Sequence, residues 1–171
     1  CWVPDMHPVW LEQRQRSETA FHAAEIIIEG SVMIPLPPEI VWDRLANPRY
    51  RSVLMGVERQ EIEPAANGRT GEGGVFVCHH GGNRVTPQVI IEWRPFERVV
   101  TKDKLPFPGG TTYIHVEYRL EPVTGGIRLT QAFGRPEGPA YGRLATRIMG
   151  SMMRTRIERD LEVFSRAIQN N

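Results

Sequence analysis

The sequence predicts an α+β domain in which a curved antiparallel sheet wraps round a long C-terminal helix. Apolar residues recur at helical spacing from Pro139 to Ile168, which indicates an amphipathic helix that must bury its apolar stripe. Several earlier segments alternate apolar and polar residues between short turns, which predicts an antiparallel meander with one covered face. The 171 residues suffice for one domain with a sizeable core.

The first part of the chain divides into an arm and the start of the domain. Residues 1–24 contain turn-forming prolines and a polar run, so we expect an arm or linker before a domain over residues 25–171. Glu25 to Ile34 alternates toward one face and predicts the first strand. A short helix over Glu39–Ala46 comes next, and Arg49–Met55 forms a second helix or an irregular turn. The first helix faces inward with Ile40, Val41 and Leu45, and Trp42 lies beside them.

Further strand candidates follow at Val57–Glu63, Gly71–His80, Arg84–Trp93, Glu97–Lys102, Thr111–Glu121 and Ile127–Gly134. Alternation in the third of these predicts one apolar face formed by Val85, Val89, Ile91 and Trp93.

Alternation in the last two strand candidates places Tyr118 and Gln131 on the inward face. An inward-facing Gln131 must be hydrogen-bonded, either to a neighbour or buried water, or to a ligand. A register shifted by one residue would instead bring Tyr113, His115 and Glu117 inward as acid–base candidates. The apolar residues that share a face with Tyr118 argue against that shift.

Three segments resemble a known superfamily. Gly30 to Trp42 runs from a strand into Pro-Leu-Pro-Pro-Glu-Ile-Val-Trp, Glu92 to Val99 reads Glu-Trp-Arg-Pro-Phe-Glu-Arg-Val, and Tyr118 to Thr130 contains Leu-Glu-Pro-Val-Thr-Gly-Gly-Ile-Arg-Leu-Thr. They resemble the opening turn and two hairpins of the SRPBCC superfamily, the helix-grip fold of START domains, the major birch-pollen allergen and polyketide cyclase/dehydrase-like proteins. The likeness covers about Glu25 to Ile168, with Ile127 where the family commonly has Thr.

The resemblance implies a seven-stranded antiparallel sheet that grips the C-terminal helix, with a deep, largely apolar cavity between them. Its members carry lipids, sterols, polyketides or plant hormones, and others are cyclases, aromatases, co-chaperones or sensor modules. We therefore expect a hydrophobic or amphipathic ligand in this cavity. Two alternatives stay open, namely a cyclase or dehydratase and a regulatory module of a larger protein. The enzyme is less favoured, because the superfamily shares no catalytic residues and the sequence shows no catalytic motif.

The candidate ligand-binding residues are Trp42, Phe76, Cys78, His80, Ile91, Trp93, Tyr118, Gln131, Phe133, Tyr141, Ile148, Met149 and Met152. We expect Gln131, His80 and Tyr118 to orient the ligand through polar contacts. Contacts between the ligand and the long C-terminal helix should concentrate in Tyr141–Met152. We expect Met149–Ile168 to cap the core. The apolar, Pro-rich loop Lys104–Gly110 is expected to gate the cavity mouth.

The run Cys78-His79-His80 contains metal-binding residue types, but we predict no metal site there. Successive residues of a strand point to opposite faces, so the three side chains cannot converge on one ion. Cys78 fits a small apolar filler, or else it orients a ligand with His80 at the cavity mouth. No cofactor is expected.

Composition excludes several partners. The charges nearly balance, with 21 Lys and Arg against 20 Asp and Glu, which gives no global field for nucleic acid. No apolar run is long enough for a membrane span. Two cysteines are too few for a disulfide framework, so we expect a reducing cytoplasm.

The chain begins with Cys1, which suggests an excerpt of a longer protein. A second likeness, of Phe76–Gly81 and Trp93–Glu97, is to SRPBCC modules attached to bacterial nucleotide-cyclase domains. Other domains of the same chain are therefore expected partners, and the oligomeric state stays open.

Overall fold

The computed structural model describes residues 26–82, 84–107, 110–138 and 150–170, with side chains except at 105–107, 110 and 150–152. These residues form a seven-stranded antiparallel sheet, two short helices after the first strand and a C-terminal helix. The predicted α+β helix-grip fold is confirmed. The predicted arm, residues 1–24, lies outside the described residues.

The strands are β1 (Ile26–Ile34), β2 (Arg59–Glu63), β3 (Val75–His80), β4 (Arg84–Arg94), β5 (Arg98–Phe107), β6 (Gly110–Val123) and β7 (Gly126–Gly134). Helices α1 (Pro38–Ala46) and α2 (Pro48–Met55) connect β1 to β2, and α3 (Gly150–Gln169) comes last. The strand order is β1-β7-β6-β5-β4-β3-β2, so every pair of neighbours except β1 and β7 is consecutive in sequence. None of the helices described is long and apolar enough to cross a membrane.

Local signals define the two short helices. The Asn47 side chain accepts a hydrogen bond from the backbone N–H of Arg49 at 3.0 Å, which caps α2. Gly56 ends that helix with a positive φ of 59°. In α1, the prediction that Ile40 faces inward is wrong, because its side chain is 40% exposed. The inward stripe is centred one residue later, and it consists of Val41, Trp42 and Leu45.

Helix α3 packs across the inner face of the sheet. Ile157, Leu161, Phe164 and Ile168 recur at helical spacing and are all buried. Gly30 on β1 permits the close approach, because a Cβ there would lie 2.8 Å from Cγ2 of Ile157.

Strand β4 contains a β-bulge. Ile90 pairs with Thr101 and Glu92 pairs with Val100, so Ile91 is an extra residue with no partner in the register. An extra residue reverses the alternation of side chains on either side of it.

The bulge corrects one sequence prediction. Before it, Gln88 and Ile90 are buried, whereas Val85 and Val89 are 50% and 40% exposed. After it, Trp93 packs against the core. The predicted inward face was therefore right for Trp93 and wrong for the two valines.

The predicted loop Lys104–Gly110 is largely the end of a hairpin. Strand β5 continues to Phe107, which pairs with Gly110, so it is longer than the predicted Glu97–Lys102. Pairing between β4 and β5 ends at Asp103. Within the part of the chain that the structure describes, the rest of β5 pairs with β6 alone. A strand with one free edge accepts a proline, and Pro106 therefore does not break it.

Candidate functional site

A cavity of about 430 Å³ lies between the inner face of the sheet and helices α2 and α3. Strands β3 to β7 contribute side chains to its lining, and Leu54 and Met55 come from α2. The lining residues of α3 are spaced three and four apart on one face, namely Met153, Arg156, Ile157 and Asp160. Cavity contacts thus extend into the half of the helix that was expected only to cap the core.

The cavity brings together four of the predicted ligand-binding residues: Cys78, His80, Gln131 and Phe133. Five others lie elsewhere in the described structure: Trp42, Phe76, Ile91, Trp93 and Tyr118. The remaining predictions fall outside the description: Tyr141, Ile148, Met149 and the side chain of Met152.

The aromatic candidates form core contacts instead of a cavity wall. Trp42 and Trp93 meet edge to face, with ring centroids 4.9 Å apart. The Phe76 ring lies 6.4 Å from Trp93, and Ile91 occupies the β4 bulge. None of these four side chains lines the cavity, although the sequence prediction placed them among the ligand-binding residues.

A hydrogen-bonded polar cluster lies at the buried end of the cavity. Asp103 accepts hydrogen bonds from Thr101 Oγ1, at 2.8 Å, and from Gln88 Nε2. Gln60 Nε2 lies 3.4 Å from Gln88 Oε1 and 3.1 Å from Cys78 Sγ. Gln88 stands opposite Asp103 in the sheet register, and Gln60 stands opposite Cys78, so strand pairing brings these side chains together.

The sequence prediction missed Gln88 and Asp103. The bulge hides the inward face of Gln88, and the predicted strand ended at Lys102, one residue before Asp103. Their signal would have been two polar residues on neighbouring strands that share one buried face.

Burial raises the pKa of Asp103 to about 6, although hydrogen bonds from Thr101 and Gln88 and the positive charge of Arg51 oppose this rise. Both protonation states are therefore accessible near neutral pH. A carboxyl group in this condition can take up or release a proton inside the cavity.

Arg51 supplies a buried positive charge near this cluster. It is fully buried, and its guanidinium carbon lies 4.1 Å from the Phe76 ring centroid and 4.5 Å from that of Tyr118. None of its side-chain nitrogens has a hydrogen-bond partner among the described residues. Arg51 is not part of the cavity lining, so it acts on Asp103 through its electric field.

Gln131 and Tyr118 form a second set of polar contacts, which the sulfur of Met55 links to Gln88 of the first cluster. Gln131 Nε2 donates to the Tyr118 hydroxyl at 3.0 Å, and that hydroxyl donates to Met55 Sδ at 3.0 Å. Met55 Sδ in turn lies 4.0 Å from Gln88 Nε2. Burial keeps the pKa of Tyr118 well above its ordinary value, so the phenol remains a neutral donor.

The alternative register for β6 is wrong. His115 and Glu117 are buried, but on the opposite face of the sheet from Tyr118. Glu117 forms ion pairs there with Arg98 at 2.8 Å and Arg119 at 3.5 Å. This side chain therefore belongs to a cross-strand ion-pair network and not to the cavity.

The open end of the cavity carries positive charge. His80 Nε2 lies 2.8 Å from Thr86 Oγ1. Burial lowers the pKa of His80, as do the charges of Arg84 and Arg156, so this imidazole is neutral at neutral pH. Both arginines are exposed and line the cavity.

Cys78 is 1% exposed, and burial raises the pKa of its thiol, which therefore stays protonated and unreactive. Across the residues with described side chains, no group of three His, Cys, Asp or Glu is arranged to hold a metal ion.

A protein-family model described as polyketide cyclase / dehydrase and lipid transport matches residues 25–169. A solved structure of a protein from Mesorhizobium loti is similar, with a TM-score of 0.59, 16% identity, and coverage of 80% of this chain and 94% of that chain. A protein from Rhodobacter sphaeroides has a TM-score of 0.58 and 20% identity, over 84% of this chain and 92% of that chain.

DynU16, whose description places it in the dynemicin biosynthetic locus, has a TM-score of 0.52 and 17% identity, over 79% of this chain and 46% of DynU16. No curated protein matches the chain at a significant level. At these identities the solved structures show a shared fold.

Proposed function

This chain belongs to the polyketide cyclase / dehydrase and lipid transport family, and from that premise we propose that it binds an amphipathic small molecule in the cavity between sheet and α3. The match over residues 25–169 confirms the SRPBCC resemblance. The observation that carries the proposal is the cavity of about 430 Å³, which combines apolar walls with a polar cluster at its buried end. Small-molecule sites typically have this size and this mixture of surfaces.

Apolar contact supplies the affinity in this proposal. Ile114, Phe133 and Met153 provide apolar wall from the sheet and from α3. A ligand that buries about 200 Å² of apolar surface gains about 5 kcal/mol before the cost of ordering it. Met153 and Met55 are flexible, polarizable side chains that can adapt to different ligand shapes.

Filling the cavity from α3 tests the proposal. Met153 is half-buried and lines the cavity, so Met153→Trp should weaken binding of anilinonaphthalene sulfonate at least about tenfold. Val163→Trp is the matched control, because Val163 lies on the same helix, is 45% exposed and does not line the cavity. Fluorescence titration measures the affinities, and thermal unfolding checks the fold. Wild-type affinity in a folded Met153→Trp variant would contradict ligand binding at this site.

The open cavity favours ligand binding over a module that binds nothing. A regulatory module that binds nothing would fill this space with its own side chains, such as those of methionine and tryptophan. Among the described residues no tryptophan lines the cavity, and the two methionines that do, Met55 and Met153, leave about 430 Å³ unfilled. Native mass spectrometry of the purified chain tests this distinction, because a co-purified ligand adds its mass to the protein, whereas a binding-free module carries none.

Asp103 favours a second candidate function, acid–base catalysis on a bound polyketone. Its ionised carboxylate would take a proton from the carbon beside one carbonyl group. The electron pair left behind would form a carbon–carbon bond to a second carbonyl carbon of the same molecule. That carbonyl oxygen would then take the proton back, and the product is a cyclic isomer. The pKa of about 6 suits both transfers.

A linear triketone tests the catalytic candidate. The wild-type chain should convert it to a cyclic isomer, followed by loss of water, and Asp103→Asn should abolish conversion while the triketone still binds. Chromatography with mass detection follows both products. Conversion at the uncatalysed rate would exclude this activity for that substrate and leave the binding proposal standing.

A further inference from the structure

The two ends of the cavity differ in the hydrogen bonds and charges that they offer. The buried end, here called the polar floor, consists of Gln88, Asp103 and Gln131, which are 3%, 8% and 4% exposed. The open end, here called the rim, carries the exposed cations Arg84, Lys104 and Arg156 and one carboxylate, Asp160.

The polar floor offers acceptors to a ligand. Gln131 uses its Nε2 to donate to Tyr118, and its carbonyl oxygen has no hydrogen-bond partner among the described residues. Each oxygen of Asp103 accepts one hydrogen bond and keeps a further lone pair. A ligand group that meets this floor satisfies it by donating a hydrogen bond, as an alcohol, a phenol or an N–H group does.

A ligand carboxylate does not suit the floor. It would place a second anion beside Asp103, and like charges at short distance repel strongly in a buried site. The nearby cation, Arg51, cannot pair with it directly, because its nitrogens are fully buried and do not line the cavity.

The rim offers the opposite chemistry. Arg84 has no ion-pair partner within the described residues. Arg156 Nε forms an ion pair with Asp160 Oδ2 at 3.3 Å, and Arg159 also pairs with this carboxylate. His80 adds no positive charge near neutral pH, because burial and the charges of Arg84 and Arg156 lower its pKa. Cations with this geometry attract an anionic group that remains at the cavity mouth.

We propose that the cavity selects a two-ended ligand, with a hydrogen-bond donor at the polar floor and an anionic group at the rim, an inference that rests on the ligand-binding function proposed above. The ligand class is thus an apolar, hydroxyl-bearing acid that enters with its hydroxyl first. Asp103 and Gln131 accept the hydrogen bond from the ligand's hydroxyl group, and Arg84 attracts its anionic group.

Three rigid probes separate the two ends. A hydroxynaphthoate with its groups at opposite ends of the rings carries both features, the matching methoxynaphthoate lacks the donor, and the matching naphthol lacks the anion. At about pH 7.5, where Asp103 is mostly ionised, wild type should bind hydroxynaphthoate about tenfold more tightly than methoxynaphthoate. It should also bind hydroxynaphthoate severalfold more tightly than naphthol.

Two variants assign the preferences to residues. Asp103→Asn should reduce the preference for hydroxyl over methoxy to about twofold and leave the preference for the carboxylate intact. Arg84→Gln should reduce the preference for the carboxylate and leave the preference for hydroxyl over methoxy intact. Arg128 is an exposed arginine outside the cavity, so Arg128→Gln should change neither preference. If Asp103→Asn does not fold by thermal unfolding, Gln131→Met tests the same preference.

Other outcomes overturn the inference. Equal binding of hydroxynaphthoate and methoxynaphthoate by wild type would overturn donor recognition. If Met153→Trp still blocked the binding of both probes, the proposed function would stand without this inference. Stronger binding of the carboxylates by Asp103→Asn would show the anion at the floor and reverse the orientation. Failure of all three probes to bind wild type would refute both the proposed function and this inference.

Discussion

Replacing Asp103 with Asn removes a buried carboxyl group that holds its proton more tightly in the folded chain than in the unfolded chain. Burial raises its pKa from 3.8 to about 6. Because the pKa values of the folded and unfolded chains differ by about two, this group contributes about 3 kcal/mol of stability that depends on pH.

The sign follows from which state binds the proton more tightly. The raised pKa favours folding fully below about pH 4, and this contribution disappears as the pH rises through about 6. Compared with Asp103→Asn, the wild-type chain should therefore lose about 3 kcal/mol of unfolding free energy between about pH 4 and about pH 7. Above this window the difference between the two proteins should be constant.

Urea unfolding of both proteins across this pH range measures the effect. Subtracting the two free energies of unfolding cancels the titration of the other carboxyl groups, which both chains share. Asp43→Asn makes the same chemical change at a side chain that is 71% exposed, and serves as the control. A difference between wild type and Asp103→Asn that stays constant from about pH 4 to about pH 7 would refute the assigned burial of the charge.

Two glycine substitutions test the packing around the sheet. Gly126→Ala should cost at least about 2 kcal/mol more than Gly82→Ala in urea unfolding, because its Cβ would collide with the Ile34 carbonyl oxygen, whereas nothing lies within 4 Å at Gly82. Both glycines have positive φ, at 155° and 74°, so equal losses would exclude the collision. Gly30→Ala should destabilise by about 1–3 kcal/mol, and adding Ile157→Ala should cost less than the sum of the two single changes. Strict additivity would mean that these two residues do not set the distance between β1 and α3.

The sequence predicted the inner face well where alternation is regular. In β6 and β7 apolar residues at every second position identify the inward side, and Tyr118 and Gln131 follow from the same count. The resemblance to a known superfamily supplied the strand number and the expectation of a cavity. The alternation and the family resemblance are both patterns within short stretches of the sequence.

Two residues of the polar floor, Gln88 and Asp103, were not predictable in the same way. A bulge adds one residue without changing the composition, so the exposed Val85 and Val89 look like a buried face. Arg51 looks like a solvated residue of a short helix. Its burial depends on the Phe76 and Tyr118 rings, which come from distant strands.

The bulge at Ile91 also decides how this chain should be aligned with its relatives. A relative without the extra residue has one continuous alternation along the equivalent strand. An alignment without a gap there would match residues of opposite sheet faces on one side of Ile91, either around Gln88 or around Trp93. At 16% identity to the Mesorhizobium loti protein, the gap must be placed from superposed backbones before any substitution in the cavity lining is interpreted.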